Sequence, residues 1–177
     1  DYRYKTELGL AHAIQGSNFT ADDLVIIGTG DPTLGSWRYS NTDVSTILKK
    51  WKQVLSDKNV TNISSLNIYS DNSKWGVQSL PGGWIWDDIG NYYGAGASAI
   101  NWRENQYDLF LKSGKQKGDS TWIVKVEPEE LLQERYIANE VITGNANTGD
   151  ASSIYTSPFS SKKLVQGSIT SNQNSFK

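Results

Sequence analysis

Thr42-Asp43-Val44-Ser45-Thr46-Ile47-Leu48-Lys49-Lys50-Trp51-Lys52-Gln53-Val54-Leu55-Ser56-Asp57 carries the clearest periodicity in the chain. Val44, Ile47, Leu48, Trp51, Val54 and Leu55 recur at the spacing that lines one face of an α-helix, and Asn41 or Thr42 is available to cap its first turn. Upstream, the β-branched run Ala21-Asp22-Asp23-Leu24-Val25-Ile26-Ile27-Gly28 reads as a buried strand closed by glycine. Downstream, residues 63–69 read as the next strand, with Ser70-Asp71-Asn72-Ser73 as its turn. Strand, helix and strand predict a small α/β unit.

Further on, strands at about 106–112 and 121–127 flank a turn at Gly114–Gly118, the pattern of an antiparallel hairpin with one wet face. A short helix is predicted over 129–136, after Pro128. Residues 144–150 are turn-rich, and from Ser168 the chain reads as a polar tail with little to add to a core. The reading is an α+β fold with few helices: a small α/β unit over about 1–75, a mainly antiparallel β portion over about 76–167, and the tail 168–177.

Composition narrows the function classes. Seventeen Lys and Arg against nineteen Asp and Glu give a net charge of -2, which offers nothing to drive nucleic-acid binding by counterion release. There is no cysteine, so disulfides and thiolate metal sites are excluded. No apolar run approaches the roughly 20 residues that span a bilayer. The single histidine, His12, cannot by itself build a metal centre or a triad, so neither metal nor cofactor is expected. Abundant Asn, Ser and Thr with seven tryptophans point to an extracytoplasmic protein that meets glycans.

Several motifs invite chemistry. Gly28-Thr29-Gly30-Asp31-Pro32-Thr33-Leu34-Gly35 follows a strand as a phosphate cradle would. Asp31 repels an anion there, however, and Pro32 removes a donor, so an ordered structural turn is expected. Ser160-Ser161-Lys162-Lys163, Ser70-Asp71-Asn72 and Lys112-Ser113-Gly114 fit the Ser-x-x-Lys, Ser-x-Asn and Lys-Ser/Thr-Gly strings of penicilloyl-serine transferases. They do not stand in the right order, and no amphipathic helix follows Ser160 to hold a serine and lysine one turn apart, so they read as chance matches. The densest patch runs from Leu80 to Trp102, with Trp84, Trp86, Tyr92, Tyr93 and the adjacent Asp87 and Asp88 among small residues. It fits either a shallow recognition site or a packed aromatic loop whose carboxylates cap turns.

Asp1-Tyr2-Arg3-Tyr4-Lys5-Thr6-Glu7, the run Asp23 to Leu34 and, most specifically, Gly83 to Asn105 resemble the long insert of class C low-molecular-mass penicillin-binding proteins, the D-alanyl-D-alanine carboxypeptidases and endopeptidases. The resemblance covers essentially the whole chain. It implies a noncatalytic insert of a serine-type, periplasmic or cell-envelope hydrolase that acts on peptidoglycan. The catalytic motifs would lie outside this stretch, leaving the chain inactive alone, and its partners would be the catalytic domain of the same parent chain and a stem peptide. By motif position Asp88 resembles the insert carboxylate that pairs with the free amine of the stem peptide's diamino acid. Tyr93 resembles the aromatic residue beside it, and Asp87 is the rival for the same role. A free-standing glycan-binding module using exposed Trp84, Trp86 or Trp102 is the competing reading, and pure scaffold a third.

Overall fold

The structure, a computed structural model, describes residues 3–10, 23–60, 66–129, 131 and 137–177. Its few helices and several mostly antiparallel sheets make an α+β fold, as the patterning predicts. The chain forms two compact units, Asp1–Ser79 with Ala97–Asn105, and Leu80–Gly96 with Gln106–Lys177.

In the first unit a three-stranded sheet has the order β1 (Thr6–Leu10), β2 (Leu24–Gly28) and β3 (Ile68–Asp71). β1 is antiparallel to β2, and β2 is parallel to β3 with Leu24 opposite Ile68. A parallel pair needs a crossover, and helix α1 (Val44–Asp57) supplies it, burying Leu55. Its N-cap is neither Asn41 nor Thr42 but Asp43, whose Oδ1 accepts the Thr46 amide at 2.8 Å. A carboxylate there answers an orphan N–H and the positive end of the helix dipole together, and that backbone bond holds the Asp43 carboxyl below its usual range. β3 also runs on through Ser70 and Asp71, expected in a turn, because both continue the ladder opposite Ile26 and Ile27. The upstream part of that predicted strand, Ile63 included, falls on residues 61–65, outside the described residues, as do Ala21, Asp22 and His12.

The glycine-rich loop after β2 is an ordered turn. Asp31 Oδ1 accepts from the Thr33 amide at 2.8 Å and from the Thr33 hydroxyl at 2.7 Å, so the loop's own carboxylate uses donors that a phosphate would need. Residues 97–105 complete this unit. Gly30 N donates to Ala99 O at 2.8 Å, the Trp102 ring stacks on Trp51 at 6.5 Å, and the Ser36 hydroxyl and Arg38 Nε donate to Glu104 at 2.5 and 3.0 Å.

The second unit holds the expected antiparallel hairpin, β4 (Asp108–Lys112) and β5 (Trp122–Glu127). A second sheet comprises β6 (Ile137–Thr143), β7 (Asp150–Ser157) and β8 (Ser160–Ile169) in the order β6-β8-β7, with β8 parallel to β6 and antiparallel to β7. Leu109, Leu111, Val126, Val141, Val165 and Ile169 form one buried core between the hairpin and this sheet.

The segment from Ser168 is not the polar tail expected. Ile169 is fully buried, and Phe176 packs against the core while exchanging backbone hydrogen bonds with Leu111 at 2.7 and 2.8 Å. Two apolar residues suffice because the backbone, not side-chain burial, pins the segment to β4. The short helix predicted over 129–136 falls largely on residues 130 and 132–136, outside the described residues.

Candidate functional site

The aromatic patch is organised by one helical turn, α2 (Trp86–Ile89), in the second unit. Two contacts seat it on β7. The Trp86 ring tilts against Tyr155 at 5.1 Å, and its indole N–H donates to Thr156 O at 3.0 Å. At Gly90 a Cβ would lie 1.4 Å from Ile154 O, so only glycine permits the approach.

Beyond Gly90 the chain doubles back. Asn91 Nδ2 donates to Asp87 O at 2.7 Å, and Gly94 N donates to Asn91 O at 2.9 Å. A Cβ on Gly94 would stand 2.0 Å from Asp88 O, so this return also requires a glycine. Its result is that Tyr93 comes back over Asp88, the phenol donating to Oδ1 at 3.2 Å. Trp84 stacks on Tyr93 at 6.3 Å with 26° between planes, and Tyr92 meets Tyr93 edge-on at 5.3 Å.

The two carboxylates thereby part company. Asp88 is half-buried, held by Tyr93 on one oxygen, and its other oxygen has no protein partner among the described residues. Asp87 is exposed and contributes its backbone carbonyl, not its carboxylate, to the loop. Neither side chain caps α2, whose N-cap is Ile85. Loss of water around the ring, and then the bond to Asp88, raise the Tyr93 phenol above its usual range, which keeps it protonated and donating. Chemically this is a carboxylate rim backed by two stacked rings, suited to an ammonium group.

The tryptophans divide similarly. Trp102 lies in the first unit against Trp51, and Trp86, although 59% exposed, has its N–H committed to Thr156. Trp84 stays with Tyr93. Gly90, Asn91 and Gly94 are the positions the sequence reading passed over; Gly-Asn at 90–91 is a turn signal that marks where the loop reverses.

The three strings that imitate a serine-hydrolase centre have structural duties. Ser160 opens β8, where successive side chains alternate, so Ser160 and Lys163 project from opposite faces rather than sharing one. Ser70 belongs to β3. Lys112 ends β4, and the buried Ser113 hydroxyl donates to Thr170 O at 2.8 Å while accepting from Gln173 N at 2.9 Å. No group of three or more His, Cys, Asp or Glu stands together among the described residues in a way that could hold a metal ion. Among the same residues no helix is long and apolar enough to cross a membrane.

No curated protein matches the chain. A family model described as D-Ala-D-Ala carboxypeptidase 3 (S13) matches residues 1–177, from the first residue to the last. With that match over its full length, the chain belongs to the D-Ala-D-Ala carboxypeptidase 3 (S13) family and has a role related to D-Ala-D-Ala carboxypeptidase activity.

Proposed function

We propose that this chain is the noncatalytic insert of a serine-type D-Ala-D-Ala carboxypeptidase or endopeptidase, and that Asp88, oriented by Tyr93, receives the free side-chain amine of a peptidoglycan stem peptide. It works outside the cytoplasm, in the cell envelope, beside the catalytic domain of its parent chain. The observation that carries the reading is the Tyr93–Asp88 hydrogen bond of 3.2 Å, which fixes one carboxylate oxygen and leaves the other open beside the Trp84 and Tyr93 rings.

Such a carboxylate selects by charge. An ammonium gains both a hydrogen bond and the attraction of opposite charge from Asp88, whereas an N-acetylated side chain is neutral and forms no ion pair. In the full enzyme, Asp88→Ala is expected to lower kcat/KM about 10- to 100-fold for a free-amine substrate, the scale of one hydrogen bond to a charged group. The N-acetylated substrate should be nearly unaffected. Equal losses on both substrates reject the assignment. Asp87→Ala should leave the preference in place, because that carboxylate is exposed, whereas Asp88 is half-buried and held by Tyr93.

A further inference from the structure

We propose that the second unit also carries a site for a carboxylate-bearing, N-acetylated oligosaccharide, in a hollow of about 600 Å³ at the end of the β4–β5 hairpin. Trp122 forms its platform, and Lys112, Lys115, Asn172, Gln173 and Asn174 surround it. The proposal rests on the reading that the chain works on peptidoglycan, and it concerns the glycan rather than the peptide.

The backbone builds this hollow. Lys112 and Trp122 are direct cross-strand partners, so their side chains stand together on one face, opposite the buried face that carries Leu111. The C-terminal segment is tied to β4 on its other side. Phe176 bonds Leu111 in both directions, and Ser113 N donates to Gln173 O at 3.0 Å. Asn174 lies between these two attachments. Asn172, with φ of 60°, donates its amide to Gly114 O at 2.8 Å, and the adjoining turn is locked by Asp119 Oδ2, which accepts from Lys115 N and Gln116 N at 3.0 and 2.9 Å. Asp119 is therefore occupied by the turn.

The chemistry of the lining is left open by the fold. Trp122 is 55% exposed and has no ring partner among the described residues. The Lys112 and Lys115 ammonium groups and the Asn174 amide likewise have no protein partner among them. Gln173 spends one N–H on Ser171 O at 3.2 Å and keeps its side-chain oxygen as an acceptor. An indole face takes the apolar face of a sugar ring, carboxamides pair with hydroxyl and acetamido groups, and two lysines favour a carboxylate.

The test is an NMR titration of the full chain, following the Trp122 indole N–H. The probes are peptide-free glycan strands, which carry the lactyl carboxylate of N-acetylmuramic acid, and neutral chitotetraose. Saturable shifts of that signal, stronger for the glycan strands, are expected. Trp122→Ala, followed through the backbone amides of Lys115 and Asn172 because its indole signal is gone, should abolish binding, with the dispersed spectrum verifying its fold. The pair Lys112→Gln and Lys115→Gln should weaken the glycan strands about tenfold, each tenfold being 1.36 kcal/mol, and leave chitotetraose unchanged. Absence of a saturable shift, unchanged binding in Trp122→Ala, or equal affinity for both sugars would overturn the proposal. Asp88→Ala should bind the strands normally, so failure here and failure of the stem-peptide reading remain separate results.

Discussion

The loop Leu80–Gly96 and the sheet β6-β8-β7 lie in the same unit, yet they use their side chains in opposite ways. The sheet turns Val141, Val165 and Ile169 into a core and bonds its backbone strand to strand. In α2 no residue is buried, and Trp86, Tyr92 and Tyr93 are each more than half exposed. The contacts that shape the loop include the Trp86 indole N–H on Thr156 O, the Asn91 amide on Asp87 O, Gln106 Nε2 on Tyr92 O and the close approaches at Gly90 and Gly94, and they leave much aromatic surface open. Atoms that the fold does not need are the ones available to a ligand. The comparison sets open aromatic side chains in the loop against buried aliphatic ones in the sheet.

The hardest way to break that division is to damage the sheet. Ile169→Ala removes a fully buried side chain and should cost about 2–5 kcal/mol. That is a large share of a typical domain's 5–15 kcal/mol, and denaturant unfolding would read it. The loop should be lost with the sheet.

A gentler change separates the two. Gly90→Ala forces a Cβ into Ile154 O and should lift α2 from β7. An overpacking cost of about 1–3 kcal/mol is expected, together with the same loss of free-amine preference as Asp88→Ala although no ligand-facing atom has changed. Retained preference would show that the seat on β7 does not orient Asp88.

The smallest effect is expected beneath the sheet's core. The Tyr107 hydroxyl is buried without a hydrogen-bond partner among the described residues, and burial pushes its phenol up to about 12 from 10. Because the folded state resists this ionisation, the contribution of Tyr107 to stability is constant below pH 10 and falls between pH 10 and 12 as the unfolded chain alone loses that proton. Tyr107→Phe should leave stability at pH 7 unchanged or slightly raised, since it removes an unsatisfied polar group, and should flatten this alkaline decline. A decline as steep as in the parent would place its cause at other tyrosines.

The contrast also explains what could be read in advance. α1 was legible because its apolar repeat is helical, and the β4–β5 hairpin because its strands alternate around a turn. β6, β7 and β8 were not. β8 opens with Ser160-Ser161-Lys162-Lys163 on an exposed edge of the pattern and buries only Val165 and Ile169, so hydropathy hides a strand that long-range parallel pairing with β6 creates. Asp87 and Asp88 were indistinguishable as neighbours. Motif position alone favoured Asp88, and the return of the chain through Gly94 adds a physical difference by setting Tyr93 against it.

The central claim is that this chain contributes recognition without a nucleophile. The direct measurement is the intact mass of the folded chain after incubation with excess penicillin, because an acyl-serine adduct is covalent. An unchanged mass is the expected result. A stoichiometric adduct on Ser160, Ser113 or any other serine would contradict the account, since it would make a working nucleophile of a side chain assigned here to the fold.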